Sequence, residues 1–168
     1  MGVNQSQPLV IETDYLNEAV SHLRAAFGDN LMGVALYGSR ARGEAREASD
    51  VDLLVIARDL PAHWQARTRG LHDPLRQISD APPMYVYGKT PEECESQFPS
   101  LYLDFGLDGI VLYEREGYLS RKLGRIREII RETGLVRRRL SENNMFWDWD
   151  KSPARGWEIT WEGYRELA

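Results

Sequence analysis

The chain has 168 residues, is 42% hydrophobic and carries a formal net charge of −5. That length suits one domain with a small appendage, no apolar run approaches the roughly 20 residues of a membrane span, and the acidic balance argues against long nucleic acid as a partner. The lone cysteine, Cys94, excludes an internal disulfide and a cysteine-based zinc site, which agrees with a reducing cytoplasm, and the N-terminal stretch shows no pattern of a secretory leader.

In chain order, "TDYLNEAVSHLRAAFGDN" reads as a helix, with Leu16, Ala19, Val20, Leu23 and Phe27 at helical spacing, Thr13 or Asp14 as cap and Gly28 as stop. "LMGVALY" is long enough for a buried strand and too short for a helix. The polar "GSRARGEAREASD" leaves room for a turn and a helical turn or two, and "VDLLVIA" is a second strand. "PAHWQARTRGLHDPLRQIS" is helical, with Trp64, Leu71, Leu75 and Ile78 on one side and a kink expected at Gly70 and Asp73-Pro74. "PPMYVYGK" is a third strand. In "TPEEC", Thr90, Pro91 and Glu93 form the start of a helix with a capping box. "SLYLDFGLDGIVLYERE" runs from a short helix into a fourth strand. "GYLSRKLGRIREIIRETG" is a helix with Leu119, Leu123, Ile126 and Ile130 on its stripe, ended by Gly134.

The tail differs in composition and holds Trp147, Trp149, Trp157 and Trp161. "LVRRRL" and "MFWDW" flank the turn-rich "SENN", which predicts a hairpin, and "GWEITW" is a candidate third strand beside it. We therefore expect residues 1–134 to form the main domain and 135–168 a Trp-rich β-hairpin tail packed on it. The fold class is α/β or α+β, with a small mixed sheet and a β-rich C-terminal extension. Residues 121–140 hold eight Arg or Lys against two acids. Such a cluster is either a solvated surface or a site for an anionic partner.

The chemistry concentrates in "YGSRARGEAREASDVDLLV". Residues i and i+2 of a strand face one way, about 7 Å apart, so Asp50 and Asp52 project together from the start of the second strand. Two carboxylates at that spacing can share hard divalent cations, Mg²⁺ or Mn²⁺ in preference to zinc. Gly38-Ser39 ends the preceding strand. Glycine lets backbone approach a phosphate, a serine hydroxyl can bind its oxygens, and Arg40 and Arg42 can neutralise its charge. Taken alone, Gly-Ser is a turn and Ser49-Asp50 a loop ending. Together they suggest a triphosphate holder facing a metal holder, suited to in-line displacement at phosphorus.

Gly38-Ser39, ten residues and then Asp50-x-Asp52 resembles the signature of the nucleotidyltransferase superfamily that includes DNA polymerase beta. The longer "GSRARGEAREASDVDLLV" resembles its minimal prokaryotic members. "LDGIVLYE" and the Trp-rich tail look like a stand-alone subgroup of them. The resemblance implies a mixed sheet with helices on one face. It implies that Gly38 and Ser39 contact nucleotide phosphate, with Arg40 and Arg42 beside them, and that Asp50 and Asp52 bind Mg²⁺ or Mn²⁺. It also implies transfer of a nucleoside monophosphate from a nucleoside triphosphate, ATP being the expected one, to a hydroxyl on a protein or small molecule, with release of pyrophosphate. Relatives of this kind are often antitoxins paired with an all-helical HEPN-type protein. An alternative is a nucleotide-binding module without transfer.

Active members of the superfamily usually add a third carboxylate on a later strand. In "PPMYVYGK" the corresponding places hold Met84, Tyr85 and Val86. Asp80, Glu92, Glu93, Asp104 and Asp108 are the acids that folding has to bring near or rule out. The tail tryptophans read either as packing residues or as a platform for an acceptor or a second copy, and Arg137 and Arg139 would share one strand face suited to an anionic acceptor.

Overall fold

The structure is a computed structural model that describes residues 14–142, 144–153 and 156–167. Helix α1 (Asp14–Phe27) leads into strand β1 (Leu31–Tyr37), a single helical turn α2 (Gly38–Ala41) and strand β2 (Val51–Ala57). Helix α3 (Trp64–His72) and a 3₁₀ segment (Asp73–Gln77) carry the chain to β3 (Met84–Lys89). Short helices α4 (Pro91–Ser96) and α5 (Leu101–Asp108), strand β4 (Ile110–Glu114) and the long helix α6 (Tyr118–Thr133) complete the main body. Thr13 lies outside the described residues. The kink falls at Asp73-Pro74, as the sequence suggests.

Four strands form one mixed sheet in the order β3-β2-β1-β4. β1 pairs antiparallel with β2 and β4, while β2 and β3 run parallel. β1 and β2 are buried almost throughout, because each is apolar on both faces. One face, with Leu36, Val51, Leu53 and Val55, packs on α1, α3 and the 3₁₀ segment. The other, with Ala35, Leu54 and Ile56, packs on α5 and α6. Helices thus cover both faces, where the resemblance placed them on one. Burying each such Leu, Ile or Val contributes about 1.5–3 kcal/mol.

Three further details depart from the expectations. Trp64 is 68% exposed, because it is the first residue of α3, two turns from Leu71, and no described element covers it. The buried stripe of α6 uses Ile129, with Ile130 only partly covered. The tail makes two separate hairpins: β5 (Leu135–Ser141) with β6 (Asn144–Trp149), and β7 (Trp157–Thr160) with β8 (Gly163–Glu166). "GWEITW" therefore does not join the first hairpin as a third strand. It pairs with the strand after it across a tight turn, the more local solution.

Leu135, Trp147, Trp149, Ile159 and Trp161 pack into the same cluster as α5 and α6, so these tryptophans act as packing residues. Trp161 Nε1 donates to the carbonyls of Cys94 and Gln97 (2.8 and 2.9 Å). Trp157 is 43% exposed and meets Trp149 edge-to-face, with ring centres 5.0 Å apart. Much of the basic cluster is used the same way. Arg125 donates to the carbonyls of Trp161 and Glu162, Arg127 to that of Gly106, and Lys122 pairs with Glu95. Intramolecular pairing thus takes up these cations.

Candidate active site

Sequence separation brings the two halves of the motif together through one antiparallel pair. Tyr37, the last residue of β1, lies opposite Asp52 on β2. The next residue, Gly38, has φ +75°, a conformation only glycine adopts without strain. Its α-carbon lies against the acid: a Cβ there would stand 2.3 Å from Asp52 Oδ2. The Gly-Ser turn and the carboxylate thus occupy one place. Asp50 is the last residue before β2 and is exposed.

The turn is pinned at several points. Arg40 donates through Nε and Nη2 to the carbonyl of Ser49 (3.2 and 2.6 Å), tying α2 to the residue before Asp50. Ser49 Oγ accepts from the Arg46 amide (2.8 Å), and the Glu44 amide donates to the carbonyl of Ser39 (2.9 Å). Arg42 donates to Glu44 and to Asp108, each at 2.9 Å. Burial opposes the Arg42 charge, but these bonds outweigh it and its pKa is raised. In this structure Arg40 and Arg42 spend their guanidinium groups on the loop and its supports.

The Asp52 carboxyl is half-buried, and its pKa is pushed up by that burial and by the charge of Asp50. The positive charge of Arg42 pulls the other way. Two neighbouring carboxylates short of compensating charge are a donor set that fits a hard divalent cation, and Asp50 and Asp52 are the residues that would hold it. Burial, and then the negative charge of Asp52, raises the pKa of Tyr37, with smaller effects from Tyr87 and Asp104. The Tyr37 ring packs edge-on against Phe105 at 4.6 Å.

The candidate third acids separate clearly. Among the described residues no group of three or more His, Cys, Asp or Glu is placed to hold one ion. On β3 the residue level with Asp52 is Tyr85, 61% exposed on the edge strand. Glu92 and Glu93 follow the far end of β3, past Lys89. That is four residues beyond Tyr85 and more than about 13 Å along the strand. Glu93 instead closes the capping box with Thr90 and takes two bonds from Arg67, both 2.7 Å. Asp104 and Asp108 on α5 are bound by Arg137, so that arginine is engaged inside the molecule and not offered to an anionic acceptor. Arg139 pairs with Glu44 (2.6 Å) and is likewise committed. Asp80 lines a cleft of about 660 Å³ with Tyr15, Arg40, Arg46 and Pro82, which borders the loop but includes neither Asp50 nor Asp52. Sequence reasoning named Asp108 and Arg137 for other roles and missed the support layer they form with Glu44, because the Arg42–Asp108, Arg137–Asp108 and Arg139–Glu44 pairs lie 66, 29 and 95 residues apart.

Comparison with known proteins bears on the same segment. A family model described as a nucleotidyltransferase domain matches residues 16–100. A protein of Methanocaldococcus jannaschii that bears the name of a protein adenylyltransferase is 33% identical over 124 residues, covering 69% of this chain and 81% of that protein. Among solved structures, the toxin–antitoxin MntA–HpeT aligns with a TM-score of 0.50 at 16% identity, over 69% of this chain and 87% of that one. Spectinomycin adenyltransferase from Enterococcus faecialis, with ATP and spectinomycin, aligns with a TM-score of 0.50 at 15% identity, over 71% of this chain and 65% of that one. At such identities the two structures bear on the fold. The mixed sheet with added C-terminal strands is the arrangement expected from the sequence.

Proposed function

The chain belongs to the nucleotidyltransferase domain family, and from that premise we propose that it transfers a nucleoside monophosphate from a nucleoside triphosphate, with ATP as the expected donor, to a hydroxyl acceptor. One observation carries the reading: Gly38 and Asp52 touch, so the phosphate-binding turn and the carboxylate pair form a single site. Gly38 and Ser39 receive the triphosphate through backbone and hydroxyl, and Arg40 and Arg42 shape the loop and add positive charge beside it. Asp50 and Asp52 would hold Mg²⁺ or Mn²⁺, which when bound would supply neutralisation of phosphate charge and of the charge on the attacking and leaving oxygens. The acceptor oxygen forms a bond to the α-phosphorus, the bond from that phosphorus to the pyrophosphate oxygen breaks, and the acceptor proton leaves to solvent or to a carboxylate.

A second reading rests on the same absence of a third clustered acid among the described residues. In it the protein binds nucleotide without transfer and restrains a partner, the HEPN type being the one that the resemblance names. For the transfer reading, the name of the 33% identical relative suggests a protein as acceptor. Among the described residues no helix is long and apolar enough to cross a membrane.

The test is pyrophosphate release from each nucleoside triphosphate with Mg²⁺ or Mn²⁺, with protein and small-molecule fractions of a cell extract as acceptor. Wild type is run beside Asp50→Ala/Asp52→Ala. Release that the double variant abolishes supports transfer. Metal-dependent nucleotide binding without release selects the second reading, and neither release nor binding refutes both.

A further inference from the structure

The first tail hairpin reaches the Gly-Ser loop through a run of ion pairs that the backbone of β5 closes into a ring. Arg42 is the first residue after α2. Its Nη1 donates to Asp108 Oδ2 and its Nε to Glu44 Oε2, each at 2.9 Å. Each of these carboxylates is held in turn by an arginine of β5. Arg137 makes a two-pronged contact with Asp108 (2.7 and 2.6 Å), and Arg139 donates to Glu44 Oε1 (2.6 Å). Arg137 and Arg139 are two residues apart and so share one face of the strand. Arg137 is further fixed by Asp104 Oδ1 (2.9 Å), which also accepts from Trp147 Nε1 (3.2 Å) on the paired strand β6. The Asp108 side chain is 4% exposed and that of Arg137 10%, so this part of the ring is shielded from water and salt. Both α5 and β5 lie beyond residues 16–100, outside the part matched by the family model.

We propose that β5 braces the nucleotide loop: Arg137 and Arg139 are positioning residues that act through Asp108 and Glu44 to hold Arg42, and with it Gly38–Ala41, in the pose that receives the triphosphate. The inference rests on the function proposed above. A loop that samples its receptive pose only part of the time binds more weakly in proportion to that fraction. Removing the brace so that the pose is held about one-tenth of the time weakens nucleotide binding about tenfold, with little change in turnover at saturation.

The experiment uses the full chain with Arg137→Met, Arg137→Lys, Arg139→Met and Arg42→Met, and Arg137→Met combined with Arg42→Met. Two readouts are taken. One is hydrogen exchange at the amides of Arg42, Gly43 and Glu44, which bond to the carbonyls of Gly38, Arg40 and Ser39. The other is the dissociation constant for ATP with Mg²⁺. Arg137→Met is expected to speed exchange and weaken binding about tenfold, Arg137→Lys to do so less, and Arg139→Met to move both in the same direction. In the Arg42→Met background Arg137→Met adds nothing further, because its effect passes through Arg42. Breaking a buried pair can unfold a domain. The Arg139–Glu44 pair is half-exposed, so Arg139→Met keeps the fold and decides the matter if Arg137→Met does not. Unchanged loop exchange in the folded variants overturns the brace, as does a binding loss that persists in full without Arg42. A wild type that binds no nucleotide refutes the proposed function instead, and loop exchange still judges the brace.

Discussion

Replacing Gly38 by alanine separates the conformational from the steric demand at the centre of the site. Gly38 and Gly134 have nearly the same backbone angle, φ +75° and +71°. Any residue with a Cβ costs about 1–2 kcal/mol there. Their surroundings differ. At Gly134 a Cβ meets nothing within 4 Å, whereas at Gly38 it would stand 2.3 Å from Asp52 Oδ2 and 3.1 Å from its carboxyl carbon. Ordinary contact begins near 3.4 Å, so the carboxylate must retreat by about 1.1 Å, the difference of those two distances. Overpacking of this kind adds about 1–3 kcal/mol. Gly134→Ala is thus expected to cost about 1–2 kcal/mol and Gly38→Ala about 2–5 kcal/mol, a large part of the usual 5–15 kcal/mol of a domain. Urea unfolding measures both. Nucleotide turnover should fall steeply in Gly38→Ala and hold in Gly134→Ala. In an Asp52→Ala background the excess cost at Gly38 should disappear, since the clashing atoms are gone. Equal costs at the two glycines, or an excess that survives Asp52→Ala, would refute the contact on which the site is built.

A carboxyl whose pKa is raised on folding penalises the fold once pH exceeds both its folded and unfolded values, and the penalty vanishes below the ordinary value of about 3.9. Asp52 is such a group, through burial and then Asp50. Asp52→Asn should raise Tm at neutral pH in metal-free buffer, with the gain shrinking as pH falls through the raised folded pKa and gone below about 3.9; a gain independent of pH would contradict the shift. Tyr85→Asp sets a third carboxylate level with Asp52 on the neighbouring strand. One added charge at contact distance is worth about 1 kcal/mol even in water, so calorimetric titration should show Mn²⁺ binding about fivefold tighter, and Tyr85→Phe should leave it unchanged. Glu93→Gln should cost about 1–2 kcal/mol in chemical denaturation, because it weakens the capping box and the Arg67 pair. Its turnover should match wild type, since Glu93 stands at the other end of β3 from Asp52; lost turnover in a folded variant would return Glu93 to the site.

Local order determined what the sequence could say. Apolar runs of β length, helical stripes such as Leu16–Ala19–Leu23, the Thr90–Glu93 cap and the Asp73-Pro74 break all act within a few residues, and each appears where periodicity puts it. Gly38-Ser39 and Asp50-x-Asp52 were legible because they flank two consecutive apolar strands, and antiparallel pairing of those strands brings the two ends of the loop together. Only the tertiary structure decided the rest. Strand register put Tyr85, and not its neighbours, level with Asp52, a matter of how two distant strands slide against each other. Arg42 met Asp108 across 66 positions and Glu44 met Arg139 across 95, and no sequence spacing encodes such pairs. The Asp108 side chain, 4% exposed, keeps its charge there only when paired. Arg137 and Arg139, which the sequence left as either solvated or suited to an anionic acceptor, are thus paired with Asp108 and Glu44 beside the Gly38–Ala41 turn.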